Sequence, residues 1–169
     1  MPNADADGRT AGPEGRPGLA AGIVVAVVAA DQLTKAWAVR ELPDGPVSIV
    51  GSTVDLRLSR NTGSAFSLFQ GFTPFLAVLA VVVAVFLVRT VRRTRDTPMI
   101  VALSLVLAGS VGNLVDRIFR SPGFLRGAVI DFVHVSAWPT FNVADSAITI
   151  GAVLIVVWSV RAEVRARDG

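Results

Sequence analysis

Four aspartates stand in or against uninterrupted apolar sequence: Asp31, Asp116, Asp131 and Asp145. A charged Asp at the centre of a membrane helix costs about 2.5–3.5 kcal/mol on insertion scales, so each needs a partner or a task. Asp31 lies four residues before Lys35, a spacing that puts both on one helix face and favours an ion pair. Asp116 adjoins Arg117 at the end of an apolar run, where pairing or capping is the plain reading. Asp145 lies three residues after Asn142, and Asn-x-x-Asp is a helix-start pattern. Asp131, in Val129-Ile130-Asp131-Phe132, has no basic neighbour; it is either a solvated loop residue or a working carboxylate. If Asp131 and Asp145 approach each other they cannot both ionise easily, and their apparent pKa values split. Two such carboxylates can hydrolyse a peptide bond, one activating water and the other protonating or polarising the scissile carbonyl. His134 follows Asp131 by three residues, but in a strand the two point to opposite faces.

The inventory narrows the chemistry further. The 169 residues are 52% hydrophobic and 17% charged, with no Cys, no Tyr, one His and one Lys. A typical soluble domain is about one quarter charged. Disulfides, thiolate sites and Cys nucleophiles are excluded, as are mechanisms needing two His and a His-rich metal cage. The reading calls for no metal and no cofactor. The pI near 10.9 comes from 15 Arg at a net charge of only +3. Those arginines cluster at the ends of apolar runs, as around membrane helices. No basic stripe carries interleaved aromatics, so nucleic acid is not an expected partner.

Four apolar runs can position the carboxylates: Gly18 to Val39, Phe72 to Val88, Pro98 to Val115 and Phe141 to Val160. Each approaches the ~20 residues that cross a bilayer as a helix, and no polar face remains for a water-soluble bundle. Leu19 to Ala30 has the length of a signal-peptide core, with Val28-Ala29-Ala30 as a candidate cleavage site. The preceding segment is net acidic, however, and the apolar pattern resumes after Asp31; a retained helix is the better reading. Residues 1–17 read as a disordered cytoplasmic tail, 18–160 as one four-helix membrane domain, and 161–169 as a cytoplasmic C-terminal tail. Nine basic residues fall on the side of the termini and seven on the other, but four Arg crowd residues 89–97. The positive-inside rule then puts both termini in the cytoplasm.

The two outer loops, about 41–71 and 117–140, are more than turns. Val54 to Ser59 alternates apolar and polar residues, as a half-buried strand does. Val47 to Val50 precedes it across Gly51-Ser52, which suggests a hairpin. Gly127 to Val133 is a further β-prone piece, and Trp138 suits a membrane interface. The expected fold is an α-helical polytopic membrane protein: four transmembrane helices under a small extracytoplasmic β-rich cap. The Ser121-Pro122-Gly123 segment and Gly127 make the second loop a candidate moving element.

Five strings occur in order: Asp31-Gln32-Leu33-Thr34-Lys35, Asn61-Thr62-Gly63-Ser64-Ala65-Phe66, Gly112-Asn113-Leu114-Val115-Asp116-Arg117, Val129-Ile130-Asp131-Phe132 and Phe141-Asn142-Val143-Ala144-Asp145. With four spans and two outer loops, they resemble the bacterial lipoprotein signal peptidases (signal peptidase II) over about residues 18–160. The resemblance implies an intramembrane aspartyl endopeptidase of the bacterial cytoplasmic membrane. It would cut prolipoproteins before a diacylglyceryl-modified cysteine, with its active site toward the extracytoplasmic face. It implies Asp131 and Asp145 as the catalytic pair, and Asn61, Gly63, Asn113, Arg117 and Asn142 as substrate-binding or supporting residues. Asp31, Lys35 and Asp116 would support structure or activity. Globomycin-type inhibitors, membrane lipids and lipidated prolipoproteins are the implied partners, for a protein working as a monomer. Ser64 and Ile130 depart slightly from the usual family residues without removing a functional group.

Read without the resemblance, Gly63 lacks a Cβ and lets a substrate backbone approach, or simply forms a turn. Asn61 and Asn142 can each serve peptide groups unpaired in lipid. Gly109 and Gly112 suit tight helix packing. The rival reading is a small transporter or ion carrier using intramembrane charges. It would place polar residues near the midplane, whereas here they gather at one end. Gly-x-Gly-Asp of the presenilin-like proteases is absent, and so is the Asp cluster of a metal-dependent phosphatidyl transferase.

Overall fold

In the computed structural model, which describes residues 16–63 and 73–167, four helices and three strands follow the expected order. The helices are α1 (Pro17–Glu41), α2 (Thr73–Arg93), α3 (Thr97–Phe119) and α4 (Val143–Arg167). The strands are β1 (Val47–Val50), β2 (Val54–Asn61) and β3 (Val129–Val135). Residues 1–15, most of the expected N-terminal tail, lie outside the described residues, as do 64–72, including Ser64, Ala65 and Phe66. All four helices are long and apolar enough to cross a membrane; the shortest, 21 residues, spans roughly 30 Å.

Local chemistry explains the ends. Pro17 opens α1 with its φ already helical. Asp96 caps α3, its carboxylate accepting the Met99 N–H at 3.1 Å, with Pro98 in the first turn. α3 runs to Phe119 rather than stopping at Val115, so Asp116 sits inside the helix. α4 starts at Val143 and puts Asp145 in its first turn. It also continues through most of the segment read as a C-terminal tail.

α3 is the hub. It is 44% buried across its apolar window, against 11–17% for the other three helices, and α1, α2 and α4 each pack on it. Small residues allow this. A Cβ on Gly109 would strike the Ala144 carbonyl of α4, and one on Gly112 would come within 2.7 Å of the Asp31 carboxylate of α1. α1 is thus an integral member of the bundle, with Asp31, Lys35 and Ala38 buried. Large apolar side chains such as Val25, Leu33, Phe86 and Val156 point outward, as lipid-facing residues do.

The cap is an antiparallel sheet in the order β1-β2-β3. Gly51, at φ +52, makes the turn of the β1-β2 hairpin. In the β2-β3 register Ser59 faces Asp131 and Asn61 faces Val129. Asn61 and Asp131 are therefore diagonal neighbours on one face. The segment between α3 and β3 folds back on the helix end, with Gly127 N–H donating to the Arg117 carbonyl at 3.0 Å. A Cβ on Gly127 would collide with the Asp116 carbonyl. Gly127 is there for close approach.

Candidate active site

β3 ends the cap where α3 ends and α4 begins, and this junction collects the polar residues. Asp131 is 2% exposed. Its Oδ1 accepts from Asn142 Nδ2 at 2.7 Å and its Oδ2 from Asn61 Nδ2 at 3.1 Å. The Asn61 amide cannot turn around: its Oδ1 accepts the Gly63 N–H at 2.8 Å, fixing the NH2 toward Asp131. Gly63, at φ +85, adopts a turn conformation, and a Cβ there would lie 2.5 Å from Leu76. The positive φ is what favours glycine here, since the tip of the Leu76 side chain could shift.

Asp145 is half-buried. Asn142 and Asp145 form a reciprocal cap. The Asn142 Oδ1 accepts the Asp145 N–H at 2.9 Å, and Asp145 Oδ2 accepts the Asn142 N–H at 3.3 Å. The Asn-x-x-Asp pattern thus forms the cap read from the sequence, and Asn142 additionally grips Asp131. Asn113 completes the bridge: its Nδ2 donates to Asp145 Oδ1 at 2.8 Å, while its Oδ1 accepts from Asn142 Nδ2 at 3.2 Å. Two carboxylates from different elements are therefore tied together through two amides.

Behind Asn113 lies a second cluster. Lys35 Nζ, fully buried, lies 2.8 Å from Asp31, 2.8 Å from Asp116 and 3.0 Å from Asn113 Oδ1. An ammonium offers three donors and no acceptor, so all three are used. It follows that Asn113 must turn its oxygen to Lys35 and its NH2 to Asp145. Asp116 also pairs with Arg120 at 2.5 Å, leaving the four charges balanced. The other Asp31 oxygen accepts the Ala144 N–H at 2.9 Å, serving the start of α4.

The Asp31–Lys35 pair is as expected. The Asp116–Arg117 pair is not found: adjacent helical residues diverge by about 100°, and Asp116 meets Lys35 and Arg120 instead. Arg117 donates to the Asn113 carbonyl at 3.2 Å. It lines a cleft with Leu76, Ser110, Asn113 and Ile148, and its buried Nε has no hydrogen-bond partner among the described residues. Sequence reasoning missed Arg120 and Gln32. The i,i+4 rule that identified Lys35 would have found Arg120. Gln32, bridging Asp31 and Asp116 at 3.1 and 3.3 Å, carried no such signal. His134 lies opposite Asp55 in the sheet and its ring contacts Thr140, away from Asp131.

Burial pushes the Asp131 carboxyl up from its usual 3.8 to about 6. Hydrogen bonds from Asn61 and Asn142 and the charge of Lys35 oppose this rise, and the negative Asp145 adds to it. A carboxyl of that kind exchanges a proton near neutral pH. Beside Asp145 a groove of about 350 Å³ opens sideways on α4, lined by Trp138, Phe141, Ser146, Thr149 and Ile150.

Residues 23–161 match the family described as signal peptidase (SPase) II. The lipoprotein signal peptidase of Mycobacterium avium is 46% identical over 149 residues, covering 88% of this chain and 82% of its own. That of Rhodococcus jostii is 50% identical over 132 residues, covering 78% and 67%. That of Mycobacterium tuberculosis is 44% identical over 139 residues, covering 82% and 69%. Two solved bacterial membrane enzyme structures, at 2.3 and 1.9 Å, superpose with TM-scores of 0.76 at 28% and 29% identity. They cover 88% and 86% of this chain and 92% and 94% of their own.

Proposed function

The chain belongs to the signal peptidase II family, and on that footing we propose that Asp131 and Asp145 are the catalytic carboxylates with which it removes signal peptides from prolipoproteins. The observation that carries this assignment is the pairing of the two carboxylates through Asn142 and Asn113 at the edge of a largely apolar groove. The transporter reading finds no support among the relatives.

The two environments suit different tasks. Asp131, buried and raised to about 6, holds the proton. Asp145, half-buried and lining the groove, takes one from water. The hydroxide so formed attacks the scissile carbonyl carbon while Asp131 donates its proton to the carbonyl oxygen. Asp145 then passes its proton to the leaving nitrogen as the C–N bond breaks, and the hydroxyl proton of the intermediate returns to Asp131. Both carboxyls finish as they began. The Nε–H of Arg117, without a partner among the described residues, and the amide of Asn61 are donors for substrate carbonyls in this scheme, and Gly63 keeps the approach clear. Lys35, Asp31 and Asp116 act from behind, holding Asn113 and the start of α4.

The substrate bond is the one preceding a diacylglyceryl-modified cysteine, and the groove beside Asp145 is apolar enough to receive the lipidated end. Globomycin-type inhibitors would occupy the same position. The working unit is the monomeric 18–160 domain, in the bacterial cytoplasmic membrane. Four Arg among residues 89–97 favour cytoplasmic termini and an extracytoplasmic active site.

The test is cleavage of a diacylglyceryl prolipoprotein by wild type, Asp131→Asn and Asp145→Asn in detergent, with melting curves as the folding control. Both folded variants should be inactive. Near-wild-type cleavage by either would remove that residue from the pair.

A further inference from the structure

At the end of the bundle away from the carboxylates, two adjoining cavities of about 370 and 430 Å³ run between α1 and α2. They share Val24, Val88, Arg92 and Leu107. They exist because α1 and α2 barely touch, each packing on α3 instead. Leu107 of α3 forms the floor, Ala20 and Val24 one wall, and Val88 the other. Ala20 is the reason the furrow is deep there: it is buried and fills little space.

One feature separates this furrow from ordinary lipid-facing surface. Arg89 and Arg92 line its open end. They are three residues apart on α2 and so share a face. Among the described residues neither guanidinium meets a carboxylate, whereas Arg57, Arg120 and Arg167 each do. Two positive charges with no carboxylate partner among the described residues therefore stand where an apolar trough reaches the end of a membrane-spanning helix. Lipid phosphates lie at that depth, and arginines near a bilayer surface select anionic lipid.

We propose that this furrow binds one anionic phospholipid, an acyl chain along α1 and α3 and the phosphate on Arg89 and Arg92. A zwitterionic lipid would fill the trough equally well but leave the pair of guanidiniums without a net countercharge. Headgroup selectivity, not lipid contact as such, is the signature of the site.

The experiment is native mass spectrometry of the full chain in detergent, titrated with phosphatidylglycerol and with phosphatidylcholine at low salt. If each arginine contributes a factor of about five, wild type should retain phosphatidylglycerol about 25-fold better. Arg89→Gln/Arg92→Gln should bring the two lipids near parity. Arg93→Gln/Arg95→Gln removes the same charge from residues outside the furrow and should keep the preference. Prolipoprotein cleavage by all three proteins checks that the opposite end of the bundle is intact. Equal retention of the two lipids by wild type would overturn the proposal. So would equal losses in the two double variants, because a diffuse basic surface would then suffice.

Discussion

Replacing Lys35 by methionine tests whether the buried cluster supports the site as a balanced set of charges. The thioether side chain would fill similar space and donate nothing. Lys35 now contacts Asp31 at 2.8 Å, Asp116 at 2.8 Å and Asn113 at 3.0 Å, all without solvent exposure at the charged groups. Removing one member of a buried ion pair typically costs about 3–5 kcal/mol, because the other charge stays buried. Here the lower end applies: Asp116 keeps Arg120 at 2.5 Å, and Asp31 keeps the Ala144 N–H at 2.9 Å. A loss of about 3 kcal/mol lowers the melting midpoint by about 6–12 °C for a domain of this size. The revealing partner is Lys35→Met/Asp31→Asn. It restores charge balance, and the introduced amide oxygen can still accept the Ala144 N–H. The double variant should therefore recover at least half of the lost stability. The assay is thermal unfolding in one detergent at pH 7, read by intrinsic Trp fluorescence. A single-variant shift below about 2 °C, or a double variant no more stable than the single, would refute the charge-balance argument.

Asp131 makes stability depend on pH. Its carboxyl is raised in the folded state to about 6 from 3.8, so the folded protein binds the extra proton. The associated stability is full below about pH 4 and is lost as pH rises through 6, an effect of about 3 kcal/mol in all. Wild-type melting should fall between pH 5 and pH 8, and Asp131→Asn should show a shallower dependence. Asn113→Asp gives Lys35 a carboxylate but removes the donor that Asp145 accepts at 2.8 Å. The variant should melt below wild type, because the cluster gains a negative charge beside Asp145, and cleavage should fall at least about 10- to 100-fold, the loss expected from removing a hydrogen bond to a charged group alone; an unchanged rate would contradict the orientation argument. Gly112→Ala would place a methyl 2.7 Å from the Asp31 carboxylate and 3.2 Å from the Ala144 Cβ. It should destabilise by about 1–3 kcal/mol in the same melting assay.

Much of this architecture was legible because local patterns encode it. Four apolar runs became four helices, and the alternation at Val54 to Ser59 became the central strand β2. The i,i+4 spacing yielded the Asp31–Lys35 pair, and Asn-x-x-Asp yielded the α4 cap. What was not legible depends on distances between remote residues. Lys35 reaches Asp116 and Asn113 across the α1-α3 interface, and no periodicity reports which residues of two helices meet. The continuation of α3 beyond Val115 rotated Asp116 toward Lys35 and away from Arg117. The double role of Asn142 likewise appears only when β3 is laid beside the start of α4.

The charge cluster also bears on how the chain enters a membrane. α1 carries Asp31 with Lys35, and Asp116 in the last turn of α3 pairs with Arg120, the residue that follows the helix, each an opposite-sign pair four residues apart. Each helix can therefore neutralise its own charges before meeting the other. On assembly Lys35 adds a bond to Asp116, and Asp31 takes up a backbone N–H of α4. The two self-neutral segments become one network as soon as α1 and α3 meet, through Lys35 and Asp116. The same contact turns the Asn113 amide, so α4 brings Asp145 to a donor that is already oriented.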